Sequence, residues 1–303
     1  MAFYRMSDGQ SLFVREIGKG QPVLILSGLG MKSWQWLPFL FPLQQKFKFF
    51  IPDWRGFGLS ADCDIPEDIH AIESHWSDLQ QILKQAQIEK CIVIAYSMGA
   101  TTAMHGMQYG DFSEYIQTYL HIDQSPKIAV DATWEHGLFA EQHQQFRQYL
   151  HQLSALLTHA QNPRYLHELS NSERYFLVHT WQELIEFQGS NQLFPALFKL
   201  AKEYPFLQSP LLPLQRLDYL AWYLDTYLNH QEDYRPAITQ LTCPTTFFIG
   251  MQSRLYPAQG QHMIAQHIPQ AKVVEFHQSG HTPLVSEPLK FRNALHDFLK
   301  VSL

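Results

Sequence analysis

Ala95-Tyr96-Ser97-Met98-Gly99 is the segment of this 303-residue chain that indicates its fold most directly. It follows Cys91–Ala95, an apolar run typical of a buried parallel strand, and precedes Ala100–Met107, whose small residues favour a helix. A serine on such a sharp strand-to-helix turn is lifted above the sheet edge, and small residues two places before and after it let the turn close. We therefore predict that Ser97 is a nucleophile; the alternative is a buried serine in an ordinary turn.

Alternating strand and helix patterns extend outward from this turn. The predicted strands are Ser11–Ile17, Pro22–Leu26, Phe47–Ile51, Cys91–Ala95, Thr118–Ile122, Thr245–Ile249 and Lys272–Phe276. Helical spacing is found in Ile69–Gln87, Ala100–Met107, Pro257–His267 and Pro288–Leu299. This alternation predicts an α/β fold with a mostly parallel, doubly wound sheet.

Residues 127–235 interrupt the alternation, because they contain no convincing strand pair and read as helices broken at prolines. We expect a core domain of residues 1–126 and 236–303, with a helical cap inserted at 127–235. Most aromatic residues of this insertion should pack the cap, and the others favour an apolar portion of a substrate. These aromatic residues are Phe139, Phe146, Tyr149, Tyr175, Phe176, Trp181, Phe194, Phe198, Phe206, Trp222 and Tyr223.

A histidine for proton transfer must be chosen by context, since the chain has 16. His281 stands in a loop between the last predicted strand and the last predicted helix. Loops at the carboxyl ends of parallel strands converge on one crevice, so His281 can reach Ser97 and act as its general base. The alternative is a histidine that caps its loop. No histidine pair has the spacing of a metal site, and we expect no metal.

Together these motifs resemble the α/β-hydrolase fold superfamily. Asp53-Trp54-Arg55-Gly56-Phe57-Gly58-Leu59-Ser60 is similar to that family's loop after the fourth strand, and the segment from His281 to Pro288 is similar to its histidine segment. Ser27-Gly28-Leu29-Gly30 is similar to the family's oxyanion loop, with serine in place of the usual histidine. The resemblance implies an oxyanion hole formed by the backbone N–H groups of Leu29 and Met98.

The acid of the triad is where this chain departs from the family's commonest pattern. An aspartate usually follows the strand that we place at Thr245–Ile249, but Ser253 occupies that position. Asp123, at the end of the preceding predicted strand, is the natural replacement, and a group of small bacterial esterases of this fold places the acid there. The alternative is that Asp123 caps the turn formed by Gln124-Ser125-Pro126.

The resemblance implies a serine hydrolase of the carboxylesterase type that cleaves an ester, thioester or lactone through an acyl-enzyme, without a cofactor. Candidate substrate contacts are Trp34, Tyr96, Trp181 and Trp222. One alternative is a cofactor-independent oxygenase of the same fold, although those enzymes typically have histidine where this chain has Tyr96. Another is a non-catalytic ligand-binding protein, which only the serine at position 253 supports.

Charge and hydropathy restrict the partners of the protein. With 22 basic and 28 acidic side chains, the chain lacks the basic excess that nucleic acid requires. No apolar run approaches the ~20 residues of a membrane span, and no secretory signal is evident at the start of the chain. Three cysteines without metal spacing are typical of reduced thiols. We therefore expect a cytoplasmic enzyme with a small, apolar, ester-like substrate; the sequence leaves the oligomeric state open.

Overall fold

The computed structural model describes residues 2–188 and 216–301. The chain divides into two compact units, one formed by Met1–Ala140 with Gln231–Leu303 and the other by Glu141–His230. The aromatic residues Phe194, Phe198 and Phe206 of the expected cap lie outside the described residues.

The first unit is built on an eight-stranded sheet. Its strands are β1 (Ala2–Arg5), β2 (Ser11–Gly18), β3 (Gln21–Leu26), β4 (Phe47–Pro52), β5 (Cys91–Tyr96), β6 (Ile116–Ile122), β7 (Thr245–Gly250) and β8 (Lys272–Phe276). Their order across the sheet is β1-β2-β4-β3-β5-β6-β7-β8. The pairs β1/β2 and β2/β4 are antiparallel, whereas every pair from β4/β3 to β7/β8 is parallel. The predicted mostly parallel sheet is confirmed.

The sequence prediction missed one strand, β1, because four residues are too few to show a clear pattern. β1 lies at the edge of the sheet and pairs only with β2. Its alternation is visible in the structure, where Phe3 is exposed and Tyr4 is buried.

The described helices connect the strands or belong to the second unit. They are α1 (Leu37–Leu40), α2 (Ala71–Gln85), α3 (Met98–Tyr109), α4 (Phe112–Tyr115), α5 (His143–His159), α6 (Asn171–Phe187), α7 (Leu217–Asn229), α8 (Arg235–Thr239), α9 (Ala258–Gln266), α10 (Pro283–Ser286) and α11 (Pro288–Val301). Short 3-10 turns lie at Ser33–Trp36, Phe41–Leu43, Gly58–Ser60, Ala140–Gln142 and Leu166–Glu168.

A buried apolar core explains why these elements form. Every residue of β5 is buried, as its unbroken apolar run predicts for a strand covered on both faces. On one face of the sheet, Ile92 and Ile94 of β5 belong to a cluster that includes Phe291 and Leu295 of α11. Each such side chain contributes about 1.5–3 kcal/mol when it is removed from water. This burial fixes the sheet on which the functional loops stand.

The second unit contains α5, α6 and α7, and α5 contacts both of the others. Ser170 and Glu173 form a reciprocal capping box that begins α6. The flanking segments 127–140 and 231–235, which the sequence places in the insertion, belong to the first unit. The two segments pair with each other, since Lys127 bridges Asp233, and they join the core where the Tyr234 N–H donates to the Pro126 carbonyl over 2.9 Å.

Candidate active site

Ser97 stands at the turn between β5 and α3, on the edge of the sheet where the parallel strands end. Its φ of +52° is a left-handed conformation that a residue with a side chain rarely adopts. The Ser97 N–H donates to the carbonyl of Ile122, the last residue of β6, over 3.1 Å, and this bond holds the turn against the neighbouring strand. Strained conformations of this kind cluster at functional sites.

Gly99 lets this turn close. A Cβ at this position would lie 2.2 Å from the backbone oxygen of Leu26, at the end of β3. The first turn of α3 is therefore packed against the backbone of β3 with no room for a side chain. This close approach places the N-terminus of α3 directly after the serine, where its N–H groups and its dipole favour negative charge.

His281 connects the serine to a buried carboxylate. Its Nε2 lies 2.8 Å from Ser97 Oγ, and its Nδ1 lies 2.7 Å from Asp123 Oδ2. A carboxylate can only accept a hydrogen bond, so Nδ1 carries the proton and Nε2 is the basic nitrogen that faces the serine hydroxyl. The sequence separates these three residues widely, and the fold brings them together in one line of hydrogen bonds.

Two tyrosines flank the imidazole of His281. The Tyr96 ring lies 5.3 Å and the Tyr256 ring 5.6 Å from it, centroid to centroid. The Tyr96 hydroxyl donates to the His281 carbonyl over 2.9 Å, and burial raises the pKa of Tyr96, so it stays a neutral donor. Tyr96 therefore holds the histidine loop and offers little surface to a substrate.

Asp123 is fully buried at the end of β6, with a φ of +41°. Oδ1 accepts hydrogen bonds from the Gly250 N–H over 3.0 Å and from Gln261 Nε2 over 3.2 Å. Oδ2 accepts one from Ser253 Oγ over 2.7 Å in addition to the bond from His281. The carboxylate thus bonds to the segments around β7 and the histidine loop, and not to the turn that follows it.

Position 253 consequently has a different role from the one that the vacated acid position suggests. Its serine hydroxyl donates to the Asp123 carboxylate and so helps to hold that side chain in place. Sequence reasoning missed Gln261 and Tyr256 as members of this site. Neither has a motif signal, because both act through contacts between distant parts of the chain.

The loop Ser27-Gly28-Leu29-Gly30 lies against the serine. The indole N–H groups of Trp36 and Trp54 donate to the hydroxyl and the carbonyl of Ser27, over 3.0 and 2.8 Å. A Cβ on Gly28 would lie 3.3 Å from Ser97 Cβ, so the loop approaches the nucleophile closely. Among the described residues, neither the Leu29 nor the Met98 backbone N–H donates to another backbone group. Both expected oxyanion donors are therefore available to a ligand.

The remaining predicted substrate contacts lie in different units. Trp34 is 54% exposed directly after the oxyanion loop, whereas Trp36 is fully buried. Trp36 therefore packs into the core, whereas contact between Trp34 and a substrate stays a prediction. Trp181 on α6 and Trp222 on α7 are half-buried in the second unit, and their contact with substrate stays a prediction.

The part of the chain that the structure describes shows no candidate group of metal ligands and no helix suited to crossing a membrane. Across 2–188 and 216–301, no three His, Cys, Asp or Glu side chains are grouped to hold a metal ion. The helices in those ranges are each too short or too polar to cross a bilayer.

Known proteins match nearly the whole chain. A model of the alpha/beta hydrolase fold matches residues 21–288. The pimeloyl-[acyl-carrier protein] methyl ester esterase of Vibrio vulnificus is 25% identical over 281 residues, which cover 93% of this chain and 95% of that protein. The esterase EaEST of Exiguobacterium antarcticum superimposes with a TM-score of 0.70 at 18% identity, with 99% of both chains covered. A thermophilic esterase of Thermogutta terrifontis does so with a TM-score of 0.70 at 18% identity, covering 99% of this chain and 98% of that one.

Proposed function

This chain belongs to the alpha/beta hydrolase fold family, and from that premise we propose that it is a serine esterase that works through an acyl-enzyme. The observation that carries the proposal is the line of hydrogen bonds from Ser97 Oγ through His281 to the buried Asp123. A hydroxyl, a neutral imidazole and a carboxylate in this order are the groups that acyl transfer to serine requires.

In the first step, the neutral Nε2 of His281 takes the proton of Ser97 as Oγ attacks the ester carbonyl carbon. The carbonyl π electrons move to oxygen, and the backbone N–H groups of Leu29 and Met98 stabilise that oxyanion. His281 then returns the proton to the alkoxy oxygen, and the alcohol leaves. Asp123 holds the imidazole in the correct tautomer and stabilises its positive charge.

In the second step, water hydrolyses the acyl-enzyme by the same route. His281 takes a proton from water, and the hydroxide attacks the acyl carbon. The bond between that carbon and Ser97 Oγ then breaks, and the serine recovers its proton from the imidazolium. The products are a carboxylic acid and the free enzyme, so no redox partner is needed.

The substrate that we propose is an ester with an apolar acyl or aromatic portion. Support comes from exposed apolar side chains in and shortly after the loop that lies against Ser97: Leu29 is 39% exposed and Trp34 is 54% exposed. Apolar surface with a few fixed polar groups is what small-molecule sites usually present. The Vibrio vulnificus relative is named for a methyl ester of an acyl chain, and methyl esters of apolar acyl chains are therefore the first compounds to assay.

Intact mass after treatment with a fluorophosphonate probe tests the nucleophile. We expect one adduct on the wild-type protein and none on Ser97→Ala, because the probe phosphonylates only a serine that is activated by a base and an oxyanion hole. Ser113→Ala is a matched control, since Ser113 is exposed on α4 away from the strand end, and it should keep the adduct.

Two results would contradict the proposal. One is well-folded wild-type protein that forms no adduct, which would favour the oxygenase or the binding protein. The other is an adduct that persists in Ser97→Ala, which would place the nucleophile elsewhere. Turnover of a series of ester and thioester chain lengths would then define the acyl group, and an optimum at short, polar acids would exclude the apolar substrate.

A further inference from the structure

Among the described residues, the buried amide of Gln261 is the hydrogen-bond donor to the Asp123 carboxylate that comes from a helix. Gln261 is 1% exposed on α9. Its Nε2 donates to Asp123 Oδ1 over 3.2 Å and to the Tyr256 carbonyl over 3.0 Å. Both neighbours are acceptors, so the amide nitrogen, and not its oxygen, must face them. The opposite rotamer would set an oxygen against a carboxylate.

The amide oxygen of Gln261 shows that this orientation is unfavourable for the stability of the fold. Gln261 Oε1 is buried and accepts no hydrogen bond within the described residues. A buried acceptor without a partner destabilises the fold. The orientation of the Gln261 side chain is therefore fixed by the hydrogen bonds that its Nε2 donates. They go to the Asp123 carboxylate and to the Tyr256 carbonyl in the loop beside His281.

The two carboxylate oxygens of Asp123 accept hydrogen bonds from different residues, and this difference affects the orientation of His281. Within 2–188 and 216–301, Oδ2 accepts from His281 and Ser253, whereas Oδ1 accepts from Gly250 and Gln261. Two donors on Oδ1 fix the rotation of the carboxylate about its Cβ–Cγ bond. This rotation determines whether Oδ2 points at the Nδ1–H of the imidazole.

The neutrality of the amide also matters. A cationic donor at this position would stabilise the carboxylate but would repel the imidazolium that forms on His281 during the reaction. An amide N–H stabilises the carboxylate without adding net charge. The same amide binds the backbone of Tyr256, whose ring flanks the imidazole, so one side chain holds the acid and the loop next to the base.

We propose that Gln261 is a positioning residue of the hydrolytic triad, which acts through Asp123 to orient His281; this inference rests on the proposed serine-esterase function. Gln261 touches neither the serine nor a substrate in this scheme. Replacing the Gln261 amide should therefore lower kcat far more than it changes KM. This effect should be seen only in proteins that have the Asp123 carboxylate.

A double-mutant cycle tests this coupling. Gln261→Leu should lower kcat on a turned-over ester by roughly tenfold to a hundredfold, the effect of losing a hydrogen bond to a charged group. In an Asp123→Asn background the same substitution should change kcat by less than about threefold, because the carboxylate that it orients is gone. Gln259→Leu, an exposed position on the same helix, is the matched control and should keep wild-type kcat.

A second variant, Gln261→Glu, provides a readout that survives if the leucine variant folds poorly. The titratable groups linked to this position are Asp123, which bonds to it, and His281, which bonds to the other carboxylate oxygen. Burial and the adjacent carboxylate both raise the pKa of a glutamate placed there. Protonated, it can donate to Asp123 as the amide does; ionised, it repels Asp123. The ratio of variant to wild-type kcat should therefore fall as the pH rises.

Each outcome has a distinct meaning. Equal losses from Gln261→Leu in both backgrounds, or a Gln261→Glu ratio that does not vary with pH, would show a purely structural role and overturn the proposal. Asp123→Asn that retains wild-type kcat would overturn it too, because Gln261 could then not act through this acid. Wild-type protein that neither binds the fluorophosphonate probe nor hydrolyses esters would instead refute the serine-esterase function on which it rests.

Discussion

At the scale of single residues, the candidate site depends on two residues whose backbone is in the left-handed region. Ser97 has a φ of +52° and Asp123 a φ of +41°. Each such residue costs on the order of 1–3 kcal/mol and persists only where surrounding structure holds it. Here the Ser97 N–H donates to Ile122, and the Asp123 N–H donates to Phe248. The sheet therefore imposes both conformations, and they aim a hydroxyl and a carboxylate at His281.

The relocation of the acid leads to a prediction at this scale. Asp123→Asn should lower kcat by roughly 10⁴-fold, because an amide can neither stabilise the imidazolium nor select the tautomer. Adding Ser253→Asp to that variant should recover roughly tenfold or more of the loss, since Ser253 Oγ lies 2.7 Å from the carboxylate oxygen that His281 binds. Steady-state kinetics on one ester would measure both effects.

The matched control for this experiment is Ser253→Asn in the Asp123→Asn background, which adds similar bulk without charge. It should recover nothing. If the variants with aspartate and with asparagine at position 253 have the same kcat, a carboxylate at position 253 cannot interact with His281. The inference from these distances would then be wrong.

At the scale of elements, the junction of β3, β5 and α3 determines how the nucleophile is presented. The strand β5 is buried along its whole length, and α3 begins directly after the serine. Gly99 allows α3 to lie against the end of β3, and the two indoles that bind Ser27 hold the oxyanion loop over the same junction. The proposed nucleophile and the proposed oxyanion donors are therefore positioned by rigid elements, as precise geometry requires.

Gly99→Ala should disrupt this junction. The added methyl group would lie 2.2 Å from the Leu26 carbonyl oxygen, so either α3 or β3 must shift. We expect a loss of about 1–3 kcal/mol in the free energy of unfolding, typical of overpacking, and a clear fall in kcat as the serine moves. Urea unfolding and ester kinetics measure the two effects.

Gly9→Ala is a useful comparison, because an added Cβ at Gly9 meets nothing within 4 Å. Its positive φ of 84° makes the substitution unfavourable for stability, but kcat should not change. A Gly99→Ala variant with wild-type kcat would mean that the contact between α3 and β3 does not position the serine.

At the scale of the whole molecule, buried histidines link stability to pH. His75 on α2 stacks on Trp54, and burial lowers its pKa to about 3. Burial likewise lowers the pKa of His121 on β6 to about 4. The Nε2–H of His121 donates to the Gln124 carbonyl over 3.0 Å, and its Nδ1 accepts from the Tyr119 hydroxyl over 3.2 Å, so the neutral ring satisfies both partners. Both histidines stay neutral in the folded protein at neutral pH.

Acid should therefore destabilise the fold well before the carboxylates are protonated. In the unfolded chain each histidine binds a proton below a pH of about 6.5. In the folded protein, His121 stays unprotonated until the pH falls to about 4. Stability is full above pH 6.5 and falls by up to about 1.4 kcal/mol per pH unit for each histidine as the pH drops. Urea unfolding between pH 7 and pH 4.5 measures this slope.

His121→Gln should remove one histidine's share of that slope, even if it also lowers stability at every pH. His267→Gln is the control, because His267 is exposed at the end of α9 and its substitution should leave the slope unchanged. Equal slopes in wild-type and His121→Gln proteins would show that His121 takes up no proton on unfolding.

The amino-acid sequence alone was enough to predict the features of this protein that depend on local chemistry. The turn around Ser97 could be predicted because both of its signals are local. Position 99 has no room for a side chain, and an apolar strand comes directly before the turn. The seven predicted strands are all present; β5 was the clearest, since burial on both faces demands an unbroken apolar run, whereas the four residues of β1 are too few to give a pattern. The position of His281 after the last strand follows from the same alternation.

The surroundings of Asp123, the proposed acid, depend on the tertiary structure. Asp123 meets Gly250, Ser253, Gln261 and His281 because β6 lies beside β7, and the donors are 127 to 158 positions away in the chain. Nothing local in Gln261 distinguishes it from the other glutamines of the chain. A hydrogen bond requires a donor within about 3 Å of its acceptor, and over such separations only the order of strands in the sheet determines which donors come that close.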